Sequence, residues 1–313
     1  MFSIINFSIM KEFFGFIKKP TDILEIYSIV KYYKIKNVTL YVKKCPWASE
    51  TEIKNYAVKK LKKITEIISF LKDKNFKNSD VYWLKILKKF KIVALPFHQF
   101  KSFYLNLNNL KANKTKVILI SDGIVDNLEL YKFILANNSL LSILSIRNLK
   151  YFFLANKKVD ECFFTLYPLK NNFSKFTKPV SSSFLPETKI INLLRKSKIK
   201  NLIIGGKGLV ANDFIKRYKI KNYCYTIRKD TNKNSTLRYL IINGKKIELK
   251  NILLAEELIN TKLIKKVYSY LNTSAFYAIQ RKIDVKIIYK RFNPFFLYFF
   301  LKENFKRLSK KPS

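Results

Sequence analysis

The sequence predicts an α/β fold, and three observations carry that expectation. Short apolar runs alternate with segments whose apolar residues recur every three or four positions, the signature of strands alternating with amphipathic helices. The alternation occurs on both sides of a Pro- and Ser-rich stretch at 166–188. Runs such as KIVALPF (91–97) and KVILIS (116–121) are almost uniformly apolar, which suits parallel strands covered on both faces. The expected architecture is two Rossmann-like lobes facing a cleft. Residues 1–170 form the amino-terminal lobe, 171–188 the linker, and 189–313 the carboxyl-terminal lobe.

In the first lobe NVTLYV (38–43) reads as a strand. Residues 50–72, ETEIKNYAVKKLKKITEIISFLK, keep helical spacing throughout and predict one long amphipathic helix. KIVALPF and KVILIS follow as strands, and 124–136 as a helix after them. The stretch 166–188, LYPLKNNFSKFTKPVSSSFLPET, holds three of the chain's eight prolines and reads as the linker. Beyond it, NLII (201–204) is a strand, ANDFIKRYK (211–219) a helix, and NYCYTI (222–227) and RYLII (238–242) strands. A short helix at 251–260 comes next, then KKVYSYL (265–271), TSAFYAIQ (273–280) and DVKIIY (284–289) as strand, helix, strand. Parallel sheets are expected in both lobes, and no internal repeat stands out.

Composition narrows the function classes. With 48% hydrophobic residues, 27 Phe and 19 Tyr in 313 residues, the chain can bury a large core, which excludes global disorder. Three dispersed Cys (Cys45, Cys162, Cys224) and one His (His98) cannot build a disulfide framework or a Cys/His metal cluster. No apolar run is long enough for a transmembrane helix, and the apolar N-terminus lacks the basic start and small-residue cleavage site of a secretory signal, so a cytoplasmic protein is expected. The net charge is +41, from 62 Lys and Arg against 21 Asp and Glu. Such a balance implies an anionic partner. The excess is mostly Lys and is spread along a chain rich in Ile, Asn, Phe and Tyr, the bias an AT-rich genome writes into any protein, so dedicated nucleic-acid binding is disfavoured.

Three constellations carry candidate chemistry. Asp122 and Gly123 follow the strand KVILIS, at the carboxyl end of a strand where open α/β sheets bind ligands. Asp122 can serve as a general base toward a hydroxyl, or it caps the following helix. Gly205, Gly206, Lys207 and Gly208 follow NLII and include three of the six glycines. Their amides can cradle a phosphate, or they make an ordinary tight turn. Thr273 and Ser274 stand between a strand and a helix, where they grip a phosphate or cap the helix. Walker, GxGxxG, HExxH, EF-hand, GxSxG and CxxC patterns are absent. The stretch 286–313 sets eight cations against Glu303 around PFFLYFFL. It suits an anionic membrane surface, or a final helix docked on the core with a solvated basic end.

Taken in order, these pieces resemble a known family. FFGFIKKPTDILEIYSIVKYYKIKNVTLYV is similar to the first strand-helix-strand unit of bacterial sialyltransferase-like enzymes, and VILISDGIVDNL to the acidic-acidic-Gly motif of bacterial sialyltransferases and capsule polysialyltransferases. CFFTLYPL, FTKPV, NLIIGGKGLV and IKKVYSYLNTSAFYAI follow in the family's order, the last resembling its paired Ser/Thr segment. The resemblance spans roughly residues 10–290. It implies the GT-B glycosyltransferase fold and inverting, metal-independent transfer of sialic acid from CMP-sialic acid, with no cofactor, to a surface polysaccharide or lipo-oligosaccharide at the inner membrane face. Asp122 would be the base, Thr273 and Ser274 would hold the CMP phosphate, and Gly123, the Gly205–Gly208 turn and Arg228 would line the donor side. Such a reaction needs a base on one face of an oxocarbenium-like centre and a stabilised leaving phosphate on the other. The chain departs from the family pattern where Ser121 replaces the first acid, and where 224–230 (CYTIRKD) lacks the His-Pro pair. Two alternatives stand beside this reading: a ribosomal or RNA-binding protein, and a transferase of the same fold using another nucleotide sugar.

Overall fold

The computed structural model describes residues 11–43, 45, 48–71, 80–96, 109–120, 159–164, 174–204, 208–227, 238–269 and 273–287. They form two sheets flanked by helices, an α/β architecture. The first sheet has seven parallel strands: β1 (Lys11–Ile17), β2 (Asn37–Val42), β3 (Ile67–Phe70), β4 (Phe90–Pro96), β5 (Lys116–Ile120), β6 (Val159–Phe164) and β7 (Ser174–Pro179). Their spatial order is β3-β2-β1-β4-β5-β6-β7. The first six strands follow the doubly wound dinucleotide-fold order. β1 sits centrally, and its sequence KEFFGFI explains why: Phe13, Phe14 and Ile17 are fully buried, so both faces are covered.

Among the described residues, helices α1 (Asp22–Tyr33), α2 (Glu50–Leu61) and α3 (Asp80–Leu87) accompany this sheet. α2 begins with a reciprocal cap, in which Ser49 Oγ accepts from Glu52 N–H and Glu52 accepts from Ser49 N–H. It ends at Leu61, so the expected long helix over 50–72 is corrected. Glu66 and Ile67 donate to Lys36 O, and IISF pairs with β2 as β3. Its β-branched pair suits a half-covered edge strand better than a fourth helical turn. β7 likewise lies inside the stretch read as linker, so part of 171–188 is sheet.

The second sheet has six strands: β8 (Asn201–Ile204), β9 (Tyr223–Ile227), β10 (Arg238–Ile242), β11 (Lys245–Leu249), β12 (Lys266–Ser269) and β13 (Asp284–Ile287), in the order β11-β10-β9-β8-β12-β13. Among the described residues, this half holds helices α4 (Thr188–Lys196), α5 (Gly208–Tyr218), α6 (Ala255–Asn260) and α7 (Thr273–Gln280). The sheet is mixed, not parallel as expected, because β10 runs antiparallel to both β9 and β11. The cause is local. Asn243 and Gly244 both adopt positive φ (48° and 85°), the backbone of a primed two-residue hairpin turn.

Three helix-to-strand passages share one tetrapeptide, KIKN, at 34–37, 198–201 and 219–222. The first lysine of each is left-handed (φ 53°, 50° and 47°), in the place glycine usually takes after a helix. The isoleucine that follows donates back to the carbonyl five residues earlier and is buried to 1%, 3% and 5% exposure. One short repeat thus stops a helix, staples it to the core and starts the next strand.

A continuous apolar core runs through both halves and includes Ile26, Tyr56, Phe184 and Leu258. The halves meet where α1 and α2 pack on residues 180–187 and on α6. Ser181 N–H donates to Ser28 Oγ, Lys31 Nζ donates to Ser183 Oγ, and Tyr56 and Lys60 reach Glu257. Among the described residues, no helix is long and apolar enough to cross a membrane.

Candidate functional site

The topology of the second sheet marks one place for a ligand. From β8 the chain passes through α5 to β9 on one side, and from β12 through α7 to β13 on the other. The winding reverses between β8 and β12, which are parallel and in register, Ser269 opposite Ile204. In open α/β sheets the crevice at such a reversal, beyond the carboxyl ends of the strands, is where ligands bind. The two segments with candidate phosphate-binding chemistry leave the sheet from these two strands. Gly205, Gly206 and Lys207 connect β8 to α5, whose first residue is Gly208. α7 begins at Thr273, shortly after β12.

The described residues settle some of the expected site and not the rest. Asp122, Gly123, Gly205, Gly206, Lys207 and Arg228 lie outside them, as do His98 and the segment 288–313. Gly208 and Thr273 are the first residues of α5 and α7. Ser274 faces inward, at 7% exposure, and its hydroxyl donates to Glu256 Oε1 at 2.7 Å. That hydroxyl is therefore engaged by a buried carboxylate, and Ser274 anchors the first turn of α7 to the start of α6.

Sequence reasoning missed this carboxylate and its neighbour. Glu256 and Glu257 open α6 and are 2% and 1% exposed. Glu257 caps its own helix by accepting from Leu254 N–H at 2.9 Å, and it also accepts from the Tyr56 hydroxyl at 2.6 Å and from Lys60. Burial holds the Glu257 carboxyl above the usual carboxylate range, although Lys60, Leu254 N–H and Tyr56 act in the other direction. Burial, together with the Glu257 charge, also pushes the Tyr56 phenol well above its ordinary value. At the far end of the same helix Asn260 accepts from Tyr277 of α7 at 2.7 Å, and Arg281 donates to Tyr277 at 2.9 Å. α6 and α7 are thus joined at both ends by polar bonds. The one sequence signal for this was the acidic pair in LLAEELI, which follows an apolar run directly.

The first half presents a matching edge. Its winding reverses between β1 and β4, and Asp22, at 1% exposure, closes the turn after β1 by accepting from Lys18 N–H at 2.7 Å and Lys19 N–H at 2.9 Å. Asp122 is two residues beyond the last residue of β5, Ile120, and β5 neighbours β4. Among the described residues, an ion pair connects the carboxyl edges of the two sheets. Glu52 lies in the first turn of α2, on the carboxyl side of the first sheet, because α2 leads from β2 back to the parallel β3. Arg238 opens the antiparallel β10 beyond Tyr239, which is level with Ile227, the last residue of β9. Arg238 Nη2 and Glu52 Oε1 are 3.2 Å apart. Burial opposes ionisation of Glu52, but the Ser49 bonds and the Arg238 charge outweigh it and leave its carboxyl below the usual range.

No group of three or more His, Cys, Asp or Glu side chains that could hold a metal ion occurs among the described residues. Cys224 is a buried free thiol. Burial pushes Cys224 up to about 12, which removes it as a nucleophile at neutral pH. No protein-family model matches the chain, and no curated protein matches it.

Proposed function

We propose that the chain is a nucleotide-sugar glycosyltransferase of the two-lobed GT-B type, resembling bacterial sialyltransferases and taking a CMP-activated donor. The observation that carries this reading is the strand order at the second sheet's reversal point: β8, which precedes Gly205–Gly208 in the chain, and β12, which precedes α7 with Thr273 and Ser274 at its start, are neighbouring parallel strands. Amide-rich sequence after one strand and a helix start after its neighbour suit a phosphate-bearing ligand. The Glu52–Arg238 contact supports a cleft between the two carboxyl edges, with Asp122 beyond β5 as base on the acceptor side. Thr273 and the backbone of α7's first turn would hold the leaving phosphate, and Ser274 would keep that turn in place through Glu256. Gly123, Gly205, Gly206, Lys207, Gly208 and Arg228 would complete the donor side. The acceptor would be a surface glycan.

A thermal-shift series with CMP, CDP, UDP and GDP tests the donor class, since a ligand that binds only the folded state raises the melting temperature. Stabilisation by CMP above the others supports the reading. No response to any of the four removes it, and selective stabilisation by UDP or GDP replaces the donor. Asp122→Asn is expected to abolish transfer without moving the melting temperature, and full transfer by that variant would exclude Asp122 as base.

A further inference from the structure

Among the described residues, lysines gather at the amino edge of the second sheet. At the amino edge Lys198, Lys219, Lys262 and Lys282 each follow a helix in left-handed backbone, with φ of 50°, 47°, 62° and 58°. Lys200, Lys221 and Lys265 come next and lead into β8, β9 and β12. Backbone bonds hold these strand starts side by side: Lys200 N–H and Asn201 N–H donate to Asn222 O, and Lys265 N–H and Lys266 N–H donate to Lys200 O. Lys245, just after the Asn243–Gly244 turn, extends the row to the hairpin. Each of these lysines is exposed. Against them the edge carries Asp284, which Lys266 holds at 2.8 Å. The other described acids of this half lie elsewhere: Glu187, Glu248, Glu256 and Glu257 belong to the carboxyl side and the contact with α2, and Asp213 is in the middle of α5.

We propose that this lysine edge docks the protein on an anionic lipid bilayer. The lysine edge lies opposite the proposed transferase site and does not depend on it. Strand ends about 4.8 Å apart across six strands give a row about 24 Å long, which turns with the sheet's twist and from which long lysine side chains reach toward an extended surface. Every cation named in the row is Lys, a mobile point charge without the planar fork that grips one phosphate in a fixed geometry. Among the described residues, no exposed aromatic side chain lies in this half to stack on bases, as single-stranded nucleic-acid binders require. The chemistry left is diffuse attraction to a sheet of negative headgroups, about fivefold in partitioning for each lysine that reaches the surface.

The test is co-sedimentation of the full chain with phosphatidylcholine vesicles, with and without phosphatidylglycerol, at low and high salt. The informative variant is Lys198→Gly, Lys219→Gly, Lys262→Gly and Lys282→Gly together. Glycine favours this left-handed backbone, so four charges go without a folding penalty. A control removes four exposed lysines elsewhere: Lys62→Gln, Lys63→Gln, Lys189→Gln and Lys250→Gln. Expected are salt-sensitive binding to phosphatidylglycerol vesicles alone, a loss of about a hundredfold or more in the glycine variant, and a change of only a few-fold in the control. Equal losses in both variants, unchanged binding by the glycine variant, or binding of RNA or duplex DNA in place of vesicles would each overturn the proposal.

Discussion

The Tyr56 hydroxyl of α2 donates to the Glu257 carboxylate of α6 across 2.6 Å, joining two residues 201 positions apart. Lys60, one turn further along α2, reaches the same carboxylate and also donates to Leu185 O. Glu257 is therefore the point where the first half is fastened to the helix that carries Glu256 and, through Ser274, the start of α7. A buried carboxylate with several donors tolerates loss of one partner poorly, because the remaining groups were desolvated to meet it.

Replacing Glu257 by Ala leaves the Tyr56 hydroxyl, Leu254 N–H and Lys60 without their shared acceptor. A destabilisation of about 3–5 kcal/mol is expected, measured by urea unfolding. Lys60→Met is expected to cost a similar amount. The double variant Lys60→Met with Glu257→Met should cost less than the sum of the single changes by about 2 kcal/mol, since no lone charge stays buried. Strict additivity would mean the pair is not coupled.

Two carboxylates at this contact should respond to pH in opposite directions. Burial raises Glu257 above its unfolded value near 4.5, so the folded state binds that proton more tightly. Its favourable contribution is full below the unfolded value and is lost as pH rises through the raised folded one. Glu187 is lowered, chiefly by its bond from Lys59 at 2.6 Å, so its contribution is full above the unfolded value and is lost as pH falls through the folded one. Relative to the native chain, Glu257→Gln should therefore gain stability as pH rises through the Glu257 transition. Glu187→Gln should show its deficit only above the acid range. Unfolding curves collected across pH 3–8 would separate them, and parallel profiles for both variants would refute the assignment.

Gly15 marks a place where backbone and side chains meet closely. A Cβ there would stand 2.9 Å from Leu40 Cδ2 and 3.0 Å from both Ile26 Cδ1 and the Phe13 ring. All three neighbours are fully buried, so none can swing into solvent. Gly15→Ala is expected to destabilise by about 1–3 kcal/mol through overpacking between β1 and α1. A melting temperature equal to that of the native chain would show that α1 has room to move away from the sheet.

Much of the fold was legible because its signals are local. Continuous apolar runs marked β4, β5 and β8, and the helical period marked α5 and α7. The period misled at 64–71, where Ile64, Ile67, Ile68 and Leu71 keep helical spacing, yet pairing with β2 claims 67–70 for the sheet. Two further local signals stand in the sequence, Asn243-Gly244 for the hairpin and the KIKN tetrapeptides for three helix ends. The site was less legible because it depends on sheet order. Ile204 and Ser269 are neighbours only because β12 inserts beside β8, which no local pattern announces. Glu256 was hidden for a related reason: an acid at a helix start reads as a solvated first-turn charge until tertiary packing buries it.

Ser274 and Glu256 offer the sharpest separation of a structural from a ligand-holding role. Ser274→Ala removes the donor at 2.7 Å from Glu256, leaving a buried carboxylate with one partner fewer, for an expected loss of about 1–3 kcal/mol. Ser274→Cys keeps the size and a weak donor and should recover only part of that loss. Thr273→Ala, at the first position of α7, should leave stability nearly unchanged. If α7's first turn holds a nucleotide phosphate, Thr273→Ala weakens CMP stabilisation directly, through a lost hydroxyl contact. Ser274→Ala weakens it in proportion to how far the turn loosens, and added nucleotide restores part of its melting temperature. A Thr273→Ala protein that responds to CMP like the native chain would take residue 273 out of the phosphate contact and leave Ser274 with packing alone.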